Sequence, residues 1–178
     1  RKGTFYPADE IPDAYDTIQQ KYGWHNINLV AHNALFEGFI NYEKYGVIPG
    51  SYFCTLAMLE HIFQGALGVS LDNAMRVLLD KEKLSGLDDL KHVHTADITD
   101  AQWTWLEKYA NNDVDGSLEL WDKFRGNLPE QEQKLMNHTI MLFANPVLEV
   151  DVPLATEALE EAVAETAALV KNSGYTEA

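Results

Sequence analysis

Cysteine is nearly missing from this chain: Cys54 stands alone among 178 residues. A single thiol excludes an internal disulfide framework and fits a reducing compartment. No apolar run approaches the roughly 20 residues that span a bilayer, and no signal-peptide pattern opens the chain. Neither a membrane partner nor secretion is expected, and the cytoplasm is the expected compartment. Positive charge is scarce as well. The 13 Lys and Arg face 28 Asp and Glu, for a formal charge of −15, which argues against a broad groove that tracks phosphates. The deficit still admits a nucleic-acid enzyme whose acidic site is neutralised by divalent cations, since the ions bring the positive charge. It also fits plain solubility. Internal repeats and low-complexity tracts are absent, which leaves one globular domain, or one domain and the start of another. With 46% hydrophobic and 23% charged residues, a core can form.

The most informative stretch is 99–128. Thr99 and Gln102 have the form of a capping box, so a helix is expected to begin just after Thr99 and to end near Gly126. Trp103, Leu106, Ala110, Val114, Leu118 and Trp121 recur at three- and four-residue steps and read as one core-facing stripe. Tyr109 and Asp113 lie four apart, so a phenol and a carboxylate project from one helix face, one turn apart. Such a pair can hold a metal ion and a water. Taken alone, it is equally an ordinary half-exposed helix face.

Elsewhere, 1–12 reads as a connection punctuated by Gly3, Pro7 and Pro12. A short helix is expected over 13–22, with Asp13 as N-cap and Gly23 past its end. Ile27, Leu29, Val30 and Ala31 suggest a buried strand that delivers His32 and Asn33 to its carboxyl end, followed by a helix over 34–45. In open α/β sheets, sites gather at such ends. A second strand is expected over 52–55, then a helix over 56–63. Ser70 caps a further helix bearing Leu71, Ala74, Met75, Leu78 and Leu79 on one side. The charged, glycine-broken run 81–97 reads as a surface excursion. His92 and His94 alternate but lack a further ligand cluster, so a polar loop outweighs a Zn²⁺ site. Cys54 reads as a small buried hydrophobe. Pro129 opens a helix with Leu135, Met136, Ile140, Leu142 and Phe143 on its apolar side, and Asn145–Pro146 break it. Residues 147–150 read as extended, and Asp151 caps a last helix to Gly174 with Pro153 in its first turn.

Two segments belong together: Val30-Ala-His-Asn-Ala-Leu-Phe-Glu37 and Tyr109-Ala-Asn-Asn-Asp-Val-Asp-Gly-Ser-Leu-Glu-Leu-Trp121. They resemble the DEDD superfamily of 3′→5′ exonucleases, and more narrowly the tyrosine subclass found as the proofreading domain of family A (pol I type), phage-like DNA polymerases. Asn33, Phe36 and Glu37 match the family's second motif, and Tyr109 with Asp113 matches the third. Cys54-Thr-Leu-Ala-Met-Leu and Ser70-Leu-Asp-Asn-Ala resemble the two connecting helices. The Leu135–Phe143 run and Pro146-Val-Leu-Glu-Val-Asp are similar to what phage-type members carry between exonuclease and polymerase. The family's first motif, Asp-x-Glu, is absent; Asp9-Glu10 is adjacent and lies in a proline-flanked loop. Glu37 also stands where many members have Asp.

The resemblance implies an α/β, ribonuclease H-like fold, a mixed sheet flanked by helices, with its first strands missing. Residues 1–128 would be an N-terminally incomplete exonuclease domain and 129–178 a helical connection toward a covalently linked polymerase domain. It implies hydrolysis of the 3′-terminal phosphodiester of DNA with two Mg²⁺ or Mn²⁺ ions, held by oxygen ligands. Asp113 would bind one ion directly, and Glu37 would act on the other through water. Tyr109 would orient the attacking water, since a phenol titrates near pH 10. Asn33 would support the site or contact the terminal nucleotide. Phe36 is expected to pack beneath the site, with stacking on a terminal base as a second role. His32 is expected to be satisfied by backbone groups. The partner would be a single-stranded DNA 3′ end, the compartment the host cytoplasm if the protein is viral, and the 178-residue segment alone inactive. Two other readings remain: a ribonuclease D-like RNA exonuclease, and an exonuclease fold kept as an inactive scaffold.

Overall fold

The structure, a computed structural model, describes residues 3–146 and 149–173. The chain enters through α1 (Ile11–Tyr22), which Pro12 opens and Gly23, at φ 71°, closes. The helix starts before the expected Asp13 cap because the fixed φ of a proline suits a first turn. Next come β1 (Asn28–Ala31), α2 (Ala34–Tyr45) and β2 (Ser51–Cys54), a parallel β–α–β unit in which Asn28 pairs with Ser51 and Ala31 with Cys54. Asn33 sits at φ 73° and Gly46 at φ 64°, so left-handed residues bound α2 on both sides. The strand ends and the α2 bounds follow the sequence closely. Gly50 enters β2 against the backbone of His25, where a Cβ would stand 2.9 Å from the His25 carbonyl carbon.

The two edges of this sheet differ. Ser51 N–H bonds to the Ile27 carbonyl, and the parallel ladder then turns Leu29 and Ala31 toward β2 and Asn28 and Val30 away from it. On the far side of β2, the N–H of Tyr52 donates to Asn137 Oδ1 at 2.7 Å and that of Cys54 to Met136 Sδ at 2.9 Å. Side chains thus close that edge. The outward backbone groups of Asn28 and Val30 have no hydrogen-bond partner among the described residues. Every residue of β1 is accordingly half-buried or exposed, which corrects the expected buried strand.

The core lies over the other face of the unit. Beyond β2 come α3 (Thr55–Phe63) and α4 (Leu71–Leu79), capped by the Ser70 hydroxyl as its sequence implies. Tyr52, Met58, Leu59, Met75 and Leu120 are fully buried, and Trp121 stacks on Phe53 at 4.6 Å. Cys54 is buried with them, and its Sγ accepts from Ala34 N–H and Ala57 N–H. The excursion between α4 and the next helix holds short 3₁₀ turns at Leu87–Leu90 and Thr95–Asp97. Then α5 (Asp100–Phe124) runs for 25 residues from the Thr99/Gln102 capping box. Its buried residues are Gly116, Ser117, Leu120 and Trp121, whereas Val114 is 59% exposed. The core-facing stripe is therefore rotated from the expected one, because Gly116 meets α4: a Cβ there would lie 2.9 Å from Met75 Cε.

A 3₁₀ turn at Arg125–Asn127 leads to α6 (Glu130–Ala144), which buries Met136, Ile140 and Ala144. Leu135, Leu142 and Phe143 of the expected apolar side are exposed. The face of α6 was misread because α2 crosses it at Gly38, whose hydrogen faces Ala144 and Ile140. The compact unit runs to Asn145, and within it α6 packs on α2 and β2. The second unit, from Pro146, contains α7 (Val152–Ser173), capped by Asp151 through Leu154 N–H at 3.1 Å. The expected extended piece 147–150 falls partly, and the helix end at Gly174 wholly, outside the described residues. No helix among the described residues is long and apolar enough to cross a membrane.

Candidate functional site

A cavity of about 340 Å³ runs along the open edge of β1, lined by Leu29, Val30 and Ala31. Three chemically active side chains enter it from three elements: His32 from the end of β1, Glu37 from the first turn of α2, and Asp113 from the middle of α5. Each presents a buried polar atom without a hydrogen-bond partner: His32 Nε2, Glu37 Oε2 and Asp113 Oδ1. Buried polar atoms are rarely left unpaired. Three residues with such atoms on one cavity make it the candidate site. Asn41 and Ser117 line the same space, but their side chains are already engaged, with Tyr15 and with the Asp113 carbonyl.

Each group has a distinct electrostatic setting. Burial pushes the Glu37 carboxyl above its ordinary range, only partly offset by a hydrogen bond from its own backbone N–H. Burial also holds His32 below the ordinary histidine range, against a backbone hydrogen bond at Val69 and the charge of Asp113, so its ring is neutral near pH 7. Thr55 Oγ1 reaches the Ala31 carbonyl at 3.4 Å and His32 Nδ1 at 2.9 Å. Either tautomer satisfies the Thr55 contact: Nδ1–H can donate to the hydroxyl, or the hydroxyl can donate to a bare Nδ1. The backbone at Val69 is the group closest to the expectation that backbone groups satisfy His32.

Tyr109 and Asp113 stand one turn apart on α5 as expected, and a third residue joins them. Lys83 Nζ lies 3.0 Å from Asp113 Oδ2, donates to the Tyr109 hydroxyl, and sits 4.1 Å from the centre of the Tyr109 ring. Burial alone would lower this ammonium, but the bonds to Tyr109 and Asp113 outweigh that and hold it above its usual range. Asn112 fastens the segment that carries it. Its Oδ1 accepts from Leu84 N–H at 2.9 Å, and its Nδ2 reaches the Glu82 carbonyl at 3.5 Å. Lys83 thus belongs to the site and not to a surface excursion. Its one sequence signal was a lysine beside a glycine-broken run, which is not specific.

The remaining expected site residues lie elsewhere. Asn33 lines a different cavity of about 270 Å³ with Leu35, Leu56 and Met136. Phe36 is 62% exposed, so it does not pack beneath the site and is free to stack. His94 is spent on capping the 3₁₀ turn through Ala96 N–H, as a polar loop residue. The donors toward the cavity include two carboxylate oxygens, the hard ligands that Mg²⁺ and Mn²⁺ favour. No group of three or more His, Cys, Asp or Glu able to hold a metal occurs among the described residues. Glu37 and Asp113 alone supply two carboxylates on the cavity, short of such a group. No family model, no curated protein and no solved structure matches this chain.

Proposed function

We propose that the chain is part of a metal-dependent 3′→5′ exonuclease of the DEDD superfamily, tyrosine subclass, that proofreads for a DNA polymerase. The observation that supports this reading most is the pair of unpartnered carboxylate oxygens, Glu37 Oε2 and Asp113 Oδ1, on one cavity, with Tyr109 one turn from Asp113. In the proposal, a strand bearing Asp-x-Glu pairs with the open edge of β1 and adds its carboxylates to that cavity, completing a ribonuclease H-like sheet. Two divalent ions, when bound, supply the positive charge that in-line phosphodiester hydrolysis needs. Asp113 and Glu37 would hold them, as direct ligand and through water respectively.

The remaining roles belong to the chain itself. The Tyr109 oxygen accepts from Lys83, so its own hydrogen is left to align a water, for which a phenol is better suited than for strong base work. Phe36, exposed at the start of α2, offers a face for a terminal base. The half-buried cavity limits bulk water around the phosphate. The inactive-scaffold reading draws on the lack of a three-donor metal group among the described residues.

The test compares this 178-residue chain with the same chain carrying its natural upstream residues, on a 5′-labelled single-stranded oligonucleotide with Mg²⁺ or EDTA. The short chain should release almost nothing, the longer one should shorten the DNA from its 3′ end, and Asp113→Ala should abolish that. An inert longer chain would favour the scaffold, and preference for an RNA ladder the ribonuclease D-like reading.

A further inference from the structure

The Lys83–Asp113 pair is the least exposed of the described lysine–carboxylate pairs, with side chains 18% and 28% exposed against 50% and 46% for Lys81–Glu119. Lys91–Asp88 and Lys134–Glu130 are more open still. Its geometry is also constrained from the backbone. The 82–84 segment is clipped to Asn112, the residue next to Asp113, so the same turn of α5 presents the carboxylate and anchors the lysine opposite it. The ammonium engages both Asp113 Oδ2 and the Tyr109 hydroxyl, while Asp113 Oδ1 is buried without a hydrogen-bond partner.

We propose that Lys83 is a built-in counter-cation of the site, a positioning residue that competes with a divalent ion for Asp113 and fixes the Tyr109 hydroxyl as a hydrogen-bond acceptor. The inference rests on the reading of Asp113 as a cation ligand. An incoming ion must either share Asp113 through Oδ1 alone or displace the ammonium from Oδ2. Either way two positive charges contend for one carboxylate, and the lysine weakens ion binding until further negative charge, a nucleic-acid phosphate or an added carboxylate, enters the cavity. Lys83 thereby ties ion retention to a completed site. Its anchored backbone keeps the ammonium within reach of any anion that arrives there.

The test uses Mn²⁺ alone, with free Mn²⁺ counted by electron paramagnetic resonance in the presence of the 178-residue chain and its variants, each checked for fold by circular dichroism. Lys83→Met should tighten Mn²⁺ binding about fivefold, the scale of a half-exposed ion pair, and Lys83→Arg should leave it near the parent value. Lys81→Met makes the same change in net charge at the Glu119 pair and should have little effect. Asn112→Ala keeps the lysine but unclips its segment and should give a smaller rise, which tests the idea even where Lys83→Met folds poorly. Asp113→Asn should cancel the gain. If Asp113→Asn weakens binding while Lys83→Met changes nothing, or if Lys81→Met matches Lys83→Met, the competition is refuted and Asp113 still stands as a ligand. If neither Asp113→Asn nor Lys83→Met alters binding, the 178-residue chain holds no ion at Asp113 and the competition is refuted, while the functional reading is decided by the longer chain.

Discussion

Replacing Glu37 with glutamine separates what this carboxylate costs the fold from what it does in the site. Its Oε2 is buried without a partner, and burial raises its pKa above the ordinary 4.5. A raised carboxylate pKa has a definite consequence for stability. The folded chain holds the proton more tightly than the unfolded one, so the favourable contribution is complete below pH 4.5 and disappears as pH rises through the folded value. Above that, the ionised group opposes folding. Glutamine keeps the shape and removes the titration. At pH 8 the change removes the cost of holding a half-buried negative charge, and because the first turn of α2 favours negative charge that cost is small, about 1 kcal/mol. For a domain of this size that is roughly a 3 °C rise in Tm. Thermal unfolding by circular dichroism between pH 4 and pH 8 should show Glu37→Gln matching the parent at the acid end and exceeding it at the basic end. A lower Tm at pH 8, or the same displacement at both ends, would refute the reasoning. A charge kept at a cost to stability is what a functional carboxylate looks like.

Three further outcomes follow from other parts of the molecule. Gly50→Ala should destabilise by at least about 2 kcal/mol, because the new Cβ meets the His25 backbone, which no rotamer change relieves; an unchanged melting curve would contradict the close approach of β2 to that turn. Tyr109→Phe, in the longer chain with upstream residues, should slow 3′ hydrolysis about 10–100-fold while leaving Mn²⁺ affinity nearly intact, since it removes only an aligning hydrogen bond; a large loss of calorimetric Mn²⁺ binding would argue for a ligand instead. Asn112→Ala removes the acceptor for Leu84 N–H, so limited trypsin digestion should cut at Lys81 and Lys83 several-fold faster, with a global loss of only about 1 kcal/mol. Unchanged cleavage would mean that the loop is held by something else.

What the sequence conveyed, and what it hid, divides along the range of the interactions. The bounds of α2, the Thr99/Gln102 capping box, the Ser70 cap and the Gly23 stop were legible because each rests on residues within four positions of one another. Tyr109 and Asp113 shared a face for the same reason. Periodicity identifies which residues of a helix align, but not which aligned set meets a neighbour. That is why Val114 was placed in the core and is exposed, while Gly116, featureless as a letter, turned out to be the point where α5 touches Met75. On α6, Leu142 and Phe143 were misplaced for the same cause. Lys83 was hidden because Asn112, 29 positions away, brings it to the site. The contact of His32 with Thr55 was not legible because Thr55 lies on the far side of the crossover. Phe36 was assigned to the core on hydrophobicity alone, which is a poor guide for one aromatic beside a site.

The asymmetric sheet also sets a limit on how copies of the chain can associate. Growth of a fibre by strand pairing requires two receptive edges on every copy, one to join the stack and one to be joined. An amide and a thioether occupy the outer N–H groups of β2, so of the two strands among the described residues only β1 is receptive. Two copies meeting edge to edge must therefore both use β1, and a two-fold contact of that kind consumes both edges and closes. Edge-to-edge association in this fold has a valence of one: it ends at a pair, because Asn137 and Met136 act as a chain terminator.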